Sequence, residues 1–369
     1  MFHTILTLSY TIPGIYLFIR IWQLFIAPHH RWWYILAFAI LFLVYPSRSV
    51  LADHAPGAAD LAAKISDYLL PFFLYLFLFV LLTDLLLVIN RLTGAVSTGK
   101  VHSFLAGYRY FFTLMVLSLF IVIAGIINFN TIRTTEYSIE IPARSSQLRE
   151  LKVAFVSDFH LDENVPARFV EKYVKKMKEI NPDVLFYGGD IVEGSGENIP
   201  RYEAILSSIK PVYGVYGVLG NHDRIRNFRN NFFTRAGIIL LRDSIVIPGN
   251  SFIVAGRIDN RNSGKDAARI LANIPNLPVI MIDHRPTDYE NISKTATDLV
   301  LSGHTHKGQL FPVNLYLNNL YELSYGNIIK GNTHCIVSSG IRLWGPKVRT
   351  TGKSEIVIVR ILFSHTENN

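Results

Sequence analysis

Two runs near the start of the chain limit its folding more than anything else in it. "LLPFFLYLFLFVLLTDLLLVI" (Leu69–Ile89) and "YFFTLMVLSLFIVIAGIINF" (Tyr110–Phe129) are almost uninterrupted hydrocarbon. A helix rises 1.5 Å per residue, so about twenty apolar residues match the bilayer core. No water there can satisfy a backbone amide, so such a run must be helical. "WWYILAFAILFLVY" (Trp32–Tyr45) is shorter and begins with two tryptophans, which suit a membrane interface. "LTLSYTIPGIYLFIRIWQLFIA" (Leu6–Ala27) carries Pro13 and Arg20. We read about four transmembrane helices over residues 1–130, with three as the alternative. Asp84 lies near the end of its span with Arg91 close behind, which suggests an interfacial or structural charge.

The remaining two-thirds changes character. "EYSIEIP" alternates as a half-buried strand does, and short apolar runs follow: "KVAFVS", "DVLFYG", "VYGVYGVLG", "FIVAG", "PVIMI" and "DLVLS". Helical spacing appears over Val165–Ile180 and over Gly264–Asn273. Buried strands alternating with helices predict an α/β domain over residues 150–369, joined to the helices by a linker and first strand over residues 131–149. Half of the 369 residues are hydrophobic, high for a purely soluble protein. The net charge of +8 is spread along the chain, and no basic, aromatic-studded stripe suggests a nucleic-acid partner. The single cysteine, Cys335, rules out a disulfide within the chain.

The endings of the apolar runs carry the chemistry. "KVAFVS" runs into Asp158-Phe159-His160, "DVLFYGG" into Asp190, "VYGVLG" into Asn221-His222-Asp223, "PVIMID" into His284, and "DLVLSG" into His304-Thr305-His306. Ligands of α/β sheets bind at the carboxyl ends of strands. Carboxylate, imidazole and amide oxygen suit Mn, Fe, Zn or Ni, and the set is too large for one tetrahedral zinc. Gly189, Gly220 and Gly303 precede candidate ligands, where a small residue permits a sharp turn.

In this order, "DFH", "GGD", "GNHD", "DH" and "GHTH" resemble the signature of the calcineurin-like metallophosphoesterases. The likeness covers about Glu150 to Arg360, and together with "GHTHKGQ" and "SSG" it is nearest to the membrane-anchored subgroup, the transmembrane proteins with a metallophosphoesterase domain. It implies a four-layer α/β/β/α sandwich preceded by the transmembrane region. It also implies two divalent metal ions, Mn²⁺ foremost, with Fe, Zn or Ni as alternatives. Asp158, His160 and His306 would hold the first metal, Asn221, His284 and His304 the second, and Asp190 would bridge them. His222 would be the catalytic histidine and Asp223 would orient it. The implied activity is hydrolysis of phosphoric esters, phosphodiesters above all, by metal-activated hydroxide. Alternatives are a UDP-2,3-diacylglucosamine-type pyrophosphatase acting on a lipid-linked substrate, and a non-catalytic receptor or transporter with a degenerate esterase domain. The chain departs from the family pattern at Glu193, where an aspartate is usual, and at Lys307, where a glycine is. Glu193 retains a carboxylate able to support a ligand. Lys307 and Arg349 read as solvated, with contact to substrate as the alternative for each, and His334 reads as structural.

The membrane side follows from short-loop cations, which tend to stay cytoplasmic. With four spans, Arg31, Arg91, Lys100 and Arg109 share one side. Arg48 and Lys64 lie on the other, followed by Arg133, Arg144 and Arg149, which belong to the start of the folded domain. The balance narrowly favours an extracytoplasmic catalytic domain and leaves the cytoplasmic side open. Reporter fusions at residue 95 and after the last residue check this. An active alkaline phosphatase at the C-terminal fusion is expected, and a fluorescent protein that glows there instead would reverse the assignment.

Overall fold

The protein was examined as a computed structural model that describes residues 2–105, 108–193, 199–223, 231–259 and 266–365. Five helices come first: α1 (Phe2–Phe25), α2 (Arg31–Leu51), α3 (Pro56–Thr93), α4 (Thr98–Leu105) and α5 (Tyr108–Asn130). The order then runs β1 (Ile132–Pro142), β2 (Glu150–Val156), α6 (Ala167–Ile180), β3 (Val184–Gly188), α7 (Ile199–Leu206), β4 (Val215–Val218) and α8 (Asn231–Arg235). Next come β5 (Ile239–Leu240), β6 (Ser244–Val246), β7 (Ile253–Gly256), α9 (Ala267–Ile270), β8 (Val279–Ile282), α10 (Tyr289–Ile292) and β9 (Leu299–Ser302). The last elements are α11 (Val313–Leu320), β10 (Gly326–Lys330), β11 (Thr333–Val337) and β12 (Ser354–Ser364). The helix read over Gly264–Asn273 is observed as α9, and Gly264 and Lys265 lie outside the described residues. The chain divides into two compact units, Met1–Asn128 with Gly345–Thr350, and Phe129–Trp344 with Thr351–Asn369.

In the first unit, three helical stretches among the described residues are long and apolar enough to cross a membrane: Pro28–Leu51, Pro56–Thr93 and Tyr108–Asn130. α3 is 38 residues long, well beyond the span read from the sequence. Pro56 opens it, where the missing amide hydrogen costs nothing. Gly94 in a left-handed conformation closes it, its amide donating to the Asn90 carbonyl. The segment that carries Arg48 and Lys64, expected to lie between spans, is mostly helix, because α2 runs to Leu51 and α3 starts at Pro56. Lys64 therefore sits on a helix face, paired with Asp60 one turn earlier. Asp84 is partnered by Arg20 and Tyr16 of α1 rather than by Arg91. Arg20 Nε donates to Asp84 Oδ2 at 2.6 Å, and Tyr16 Oη donates to the same carboxylate. Asp84, read as an interfacial or structural charge, thus pairs with the Arg20 that interrupts the first apolar run. Residues 345–350 belong with this unit. Val348 and Arg349 are buried, the Arg349 amide donates to the Gly125 carbonyl, and Lys347 pairs with Asp67 at 3.1 Å.

The second unit is built on two six-stranded sheets, ordered β1-β12-β2-β3-β4-β5 and β10-β11-β9-β8-β7-β6. Strand alternation sorts each side chain to one face. Val153 and Phe155 of β2, Val184 and Phe186 of β3, Ile280 and Ile282 of β8, and Leu299 and Leu301 of β9 fill the layer between the sheets. The alternate residues face outward. Ala154, Val156, Leu185 and Tyr187 pack under α6, α7 and α8, and Ile253, Val279, Met281 and Val300 pack under α9 and α10. α6 supplies its cover from one stripe: Phe169, Val170, Tyr173, Val174, Met177 and Ile180 are buried, while Lys172, Lys175 and Lys178 face solvent. The four-layer α/β/β/α sandwich expected from the resemblance is present. β2, β3 and β4 run parallel, as do β7, β8 and β9, so each sheet directs several carboxyl ends the same way.

The Arg20–Asp84 pair yields a test. Asp84→Ala leaves a guanidinium uncompensated in an apolar bundle and should cost roughly 3 kcal/mol. The purified chain should melt several degrees lower, while Arg20→Leu combined with Asp84→Leu should recover most of the loss. Equal melting temperatures for the chain and its Asp84→Ala variant would show that the pair is not structural.

Candidate metal centre

The carboxyl ends of β2, β3, β8 and β9, and the turn after β4, bring the sequence-predicted residues together. Asp158, His160 and His306 offer ligand atoms within 4.8 Å of one another, and so do Asp190, His284 and His304. Asn221 joins the second group, its Oδ1 lying 3.3 Å from His284 Nε2. Asp190 Oδ2 lies 3.2 Å from His284 Nε2 and 4.0 Å from His160 Nε2, and so reaches toward both groups. His222 stands at the edge with its side chain part-exposed.

The turns that make this cluster are strained. Asp158, His160, Asp190, His304 and His306 all have φ between 45° and 71°. Left-handed backbone at a residue with a Cβ costs on the order of 1–3 kcal/mol and persists only where neighbours enforce it. Here they do. The Asp158 amide donates to the Gly189 carbonyl and the His160 amide to the Asp190 carbonyl, both at 2.9 Å. The His304 amide donates to the Asp158 carboxylate at 3.1 Å. Gly189, at φ 90°, leaves the space that His284 needs: a Cβ there would lie 2.6 Å from Nδ1 of that ring.

The donor set fits cations. His284 Nδ1 donates to the Gly188 carbonyl at 2.8 Å, which leaves Nε2 with a lone pair. That lone pair faces Asp190 Oδ2, Asn221 Oδ1 and, at 3.3 Å, His304 Nδ1, where electron pairs meet with few protons between them. His160 Nε2 is buried without a hydrogen-bond partner. Without a cation, protons would have to supply the positive charge. Burial lowers the pKa of His284, but Asp190 outweighs it and pushes the ring up to about 10. Burial and the charge of His284 push its neighbour His304 down to about 3. Burial would raise Asp190, yet His284 and His160 hold it far below the carboxylate range.

Glu193 ties the cluster to His222. Its Oε2 accepts from His160 Nδ1 at 2.9 Å and its Oε1 from His222 Nδ1 at 3.2 Å. Burial would raise this carboxyl, but the two imidazoles pull it down to about 2. The contact that Asp223 was expected to make with His222 is therefore made by Glu193. Asp223 instead accepts the amides of Ile191 and Val192 at 2.9 Å and of Gly220 at 2.7 Å, locking the turns after β3 and β4 together. Burial and the charge of Asp190 push Asp223 up to about 6.

Lys307 is not simply solvated: its ammonium lies over the Tyr325 ring at 4.1 Å. Arg349, read as solvated, is fully buried in the helical unit. His334 sits on β11, as a structural residue would. Two contributors escaped the sequence reading. Trp344 places its ring 5.5 Å from His222, and no local pattern marks it. Glu355, buried on β12, accepts from the Ser339 amide at 2.8 Å and from both Ser338 and Ser339 hydroxyls. It thereby fixes the turn whose Gly340 packs against Asp158, where a Cβ would come within 2.8 Å. The "SSG" element was the available signal for that turn.

Residues 151–308 match the profile of the calcineurin-like phosphoesterases. An uncharacterized metallophosphoesterase from Aquifex aeolicus is 30% identical over 242 residues, covering 62% of this chain and 92% of that one. One from Campylobacter jejuni is 28% identical over 306 residues, 78% of each chain. A transmembrane protein with metallophosphoesterase domain from Danio rerio is 25% identical over 353 residues, 88% of this chain and 79% of that one.

The geometry makes the ligand substitutions unequal. Asp190→Ala should weaken both candidate metal sites, since its carboxylate reaches toward each donor group, whereas Asn221→Ala should mainly weaken the second. Metal content by mass spectrometry after exhaustive dialysis checks this. Two metals retained at unchanged affinity in Asp190→Ala would remove the bridging assignment.

Proposed function

Because the chain belongs to the calcineurin-like metallophosphoesterases, we propose that it is a membrane-anchored dinuclear hydrolase of phosphoric esters, and of phosphodiesters in particular. The observation that carries this reading is the pair of convergent donor groups with Asp190 between them. Asp158, His160, Asp190 and His306 would hold one divalent cation, and Asp190, Asn221, His284 and His304 the other. Mn²⁺ is the first choice, since mixed oxygen and imidazole donors suit it. Two such ions supply Lewis acidity: they draw charge from the phosphoryl oxygens and lower the pKa of water.

The chain's own residues account for the rest. Water attacks phosphorus, the bond to the leaving oxygen breaks, and that oxygen needs a proton. His222 is placed to give it. Glu193 accepts from Nδ1, so Nε2 is the nitrogen left to face the substrate. Burial lowers the pKa of His222, but Glu193 and Asp190 outweigh it, and the net shift is upward, toward the protonated form a general acid requires. Trp344 beside His222 gives the leaving group a flat apolar wall. The complete donor set argues against a degenerate, non-catalytic domain, because a lost activity leaves no reason to keep five residues in strained backbone.

The test is a hydrolysis screen of the full chain against phosphomonoesters, phosphodiesters and pyrophosphate diesters. Chelation should abolish activity and Mn²⁺ should restore it. His222→Gln should keep both metals and lose roughly 10²–10⁴-fold in rate, less for a nitrophenolate leaving group than for an alkoxide. Full activity of the metal-stripped chain would end this reading, and equal losses for both leaving groups would end the role given to His222.

A further inference from the structure

The metal loop leads directly into an apolar surface that the proposed chemistry does not use. After His306, Lys307 and Gly308 the chain reads "QLFPVNLYLNNLY" (Gln309–Tyr321), without a single charged residue. Its helix, α11, has no buried residue. Val313 is 44% exposed, Leu315 53%, Tyr316 66% and Leu320 57%, and Phe311 just before the helix is 48% exposed. An α/β enzyme domain ordinarily shows water scattered single apolar residues, and a contiguous group of this kind marks a binding surface.

This surface is firmly attached to the site. A Cβ on Gly308 would lie 2.4 Å from the Asn314 amide nitrogen, so α11 packs directly on the turn that carries His306. The Thr305 hydroxyl donates to the Ser324 carbonyl at 2.6 Å, and the Ser324 hydroxyl donates to Asn318 on α11. Tyr321, at the end of α11, sets its ring 6.3 Å from His304. Whatever covers the apolar face therefore lies beside the metal-binding turn.

Resting on the phosphoester hydrolase reading, we infer that Phe311–Leu320 inserts into the bilayer interface and that the substrate is a phosphoester in a lipid headgroup. Three observations favour a bilayer over a protein partner. The same chain carries helices long enough to cross a membrane, and only Thr131 separates α5 from β1. The surface has no charge to complement a specific partner, but its aromatic and amide groups suit the headgroup boundary. It is a short helix with no buried residue, so its apolar side chains are open to a bilayer. Apolar side chains at interface depth would set the metal loop at headgroup level, where acyl chains stay in the membrane while the phosphoester enters the site.

The test uses the full chain reconstituted in phosphatidylcholine–phosphatidylglycerol vesicles, with an environment-sensitive fluorophore on Leu315→Cys. Cys335 is buried and should take up no label. Lys175→Cys, on the exposed face of α6, gives the aqueous reference. The probe at 315 should be quenched by brominated acyl chains and shielded from iodide, and the probe at 175 the reverse. Identical behaviour at both positions overturns the inference. So does a 315 probe shielded from iodide but untouched by brominated lipid, which would indicate a protein-covered face. These readouts need no catalysis, so they stand apart from failure of the hydrolase reading. For the substrate, the double variant Leu315→Asp, Tyr316→Asp should lower the ratio of rates on a vesicle-borne lipid phosphodiester and a soluble aryl phosphodiester by about tenfold. An unchanged ratio would overturn the headgroup substrate, while inactivity of the parent chain on both compounds would count against the hydrolase reading alone.

Discussion

Lone pairs facing lone pairs are the constraint on which the candidate metal centre depends. His284 commits its Nδ1 hydrogen to a backbone carbonyl, and everything near its other nitrogen is an acceptor or a second imidazole. Such an arrangement is repulsive unless positive charge lies within it. The strained turns, the glycines beneath them and the amides held by Asp223 all serve to keep those donors converged. A cation would bind not because one residue attracts it but because the fold has already met the cost of bringing the donors together.

Much of this was legible in the sequence because strand ends repeat a simple grammar. A short apolar run buried on both faces followed by Asp, Asn or His is hard to misread, and β2, β3, β4, β8 and β9 all have that form. β12 was missed because Arg360 interrupts its apolar run. In the structure Arg360 points outward near Glu136 and Glu150. α11 was missed for the opposite reason: it buries nothing, so it has no stripe to detect. Side-chain partners were the least readable. Glu193 lies three residues after Asp190, and its carboxylate was noted, but only the fold shows that it joins His160 to His222 while Asp223 turns to the backbone. Arg20 interrupted the first span and Asp84 read as an interfacial or structural charge, and only packing reveals these residues, 64 apart, as partners.

The two units differ in what holds them. The α/β/β/α unit is stabilised by buried aliphatic and aromatic side chains packed between its sheets. The helical unit keeps much of its apolar surface outward, as expected where lipid replaces water. It adds polar ties such as Tyr16–Asp84 and Thr83–Tyr110, whose alternative in hydrocarbon would be an unsatisfied group.

The position of β12 has a consequence for biosynthesis. It lies between β1 and β2, pairing in parallel with the first along eleven residues and antiparallel with the second. β1 emerges from the ribosome directly behind α5, yet its only sheet neighbour among the described residues is more than two hundred residues away. Until Ser354–Ser364 has been translated, β1 and one edge of β2 remain unpaired. The sheet is therefore completed last, by a segment that must slide between two waiting strands. That is a high-contact-order closure, slow by nature and exposed to wrong edge pairing during the interval.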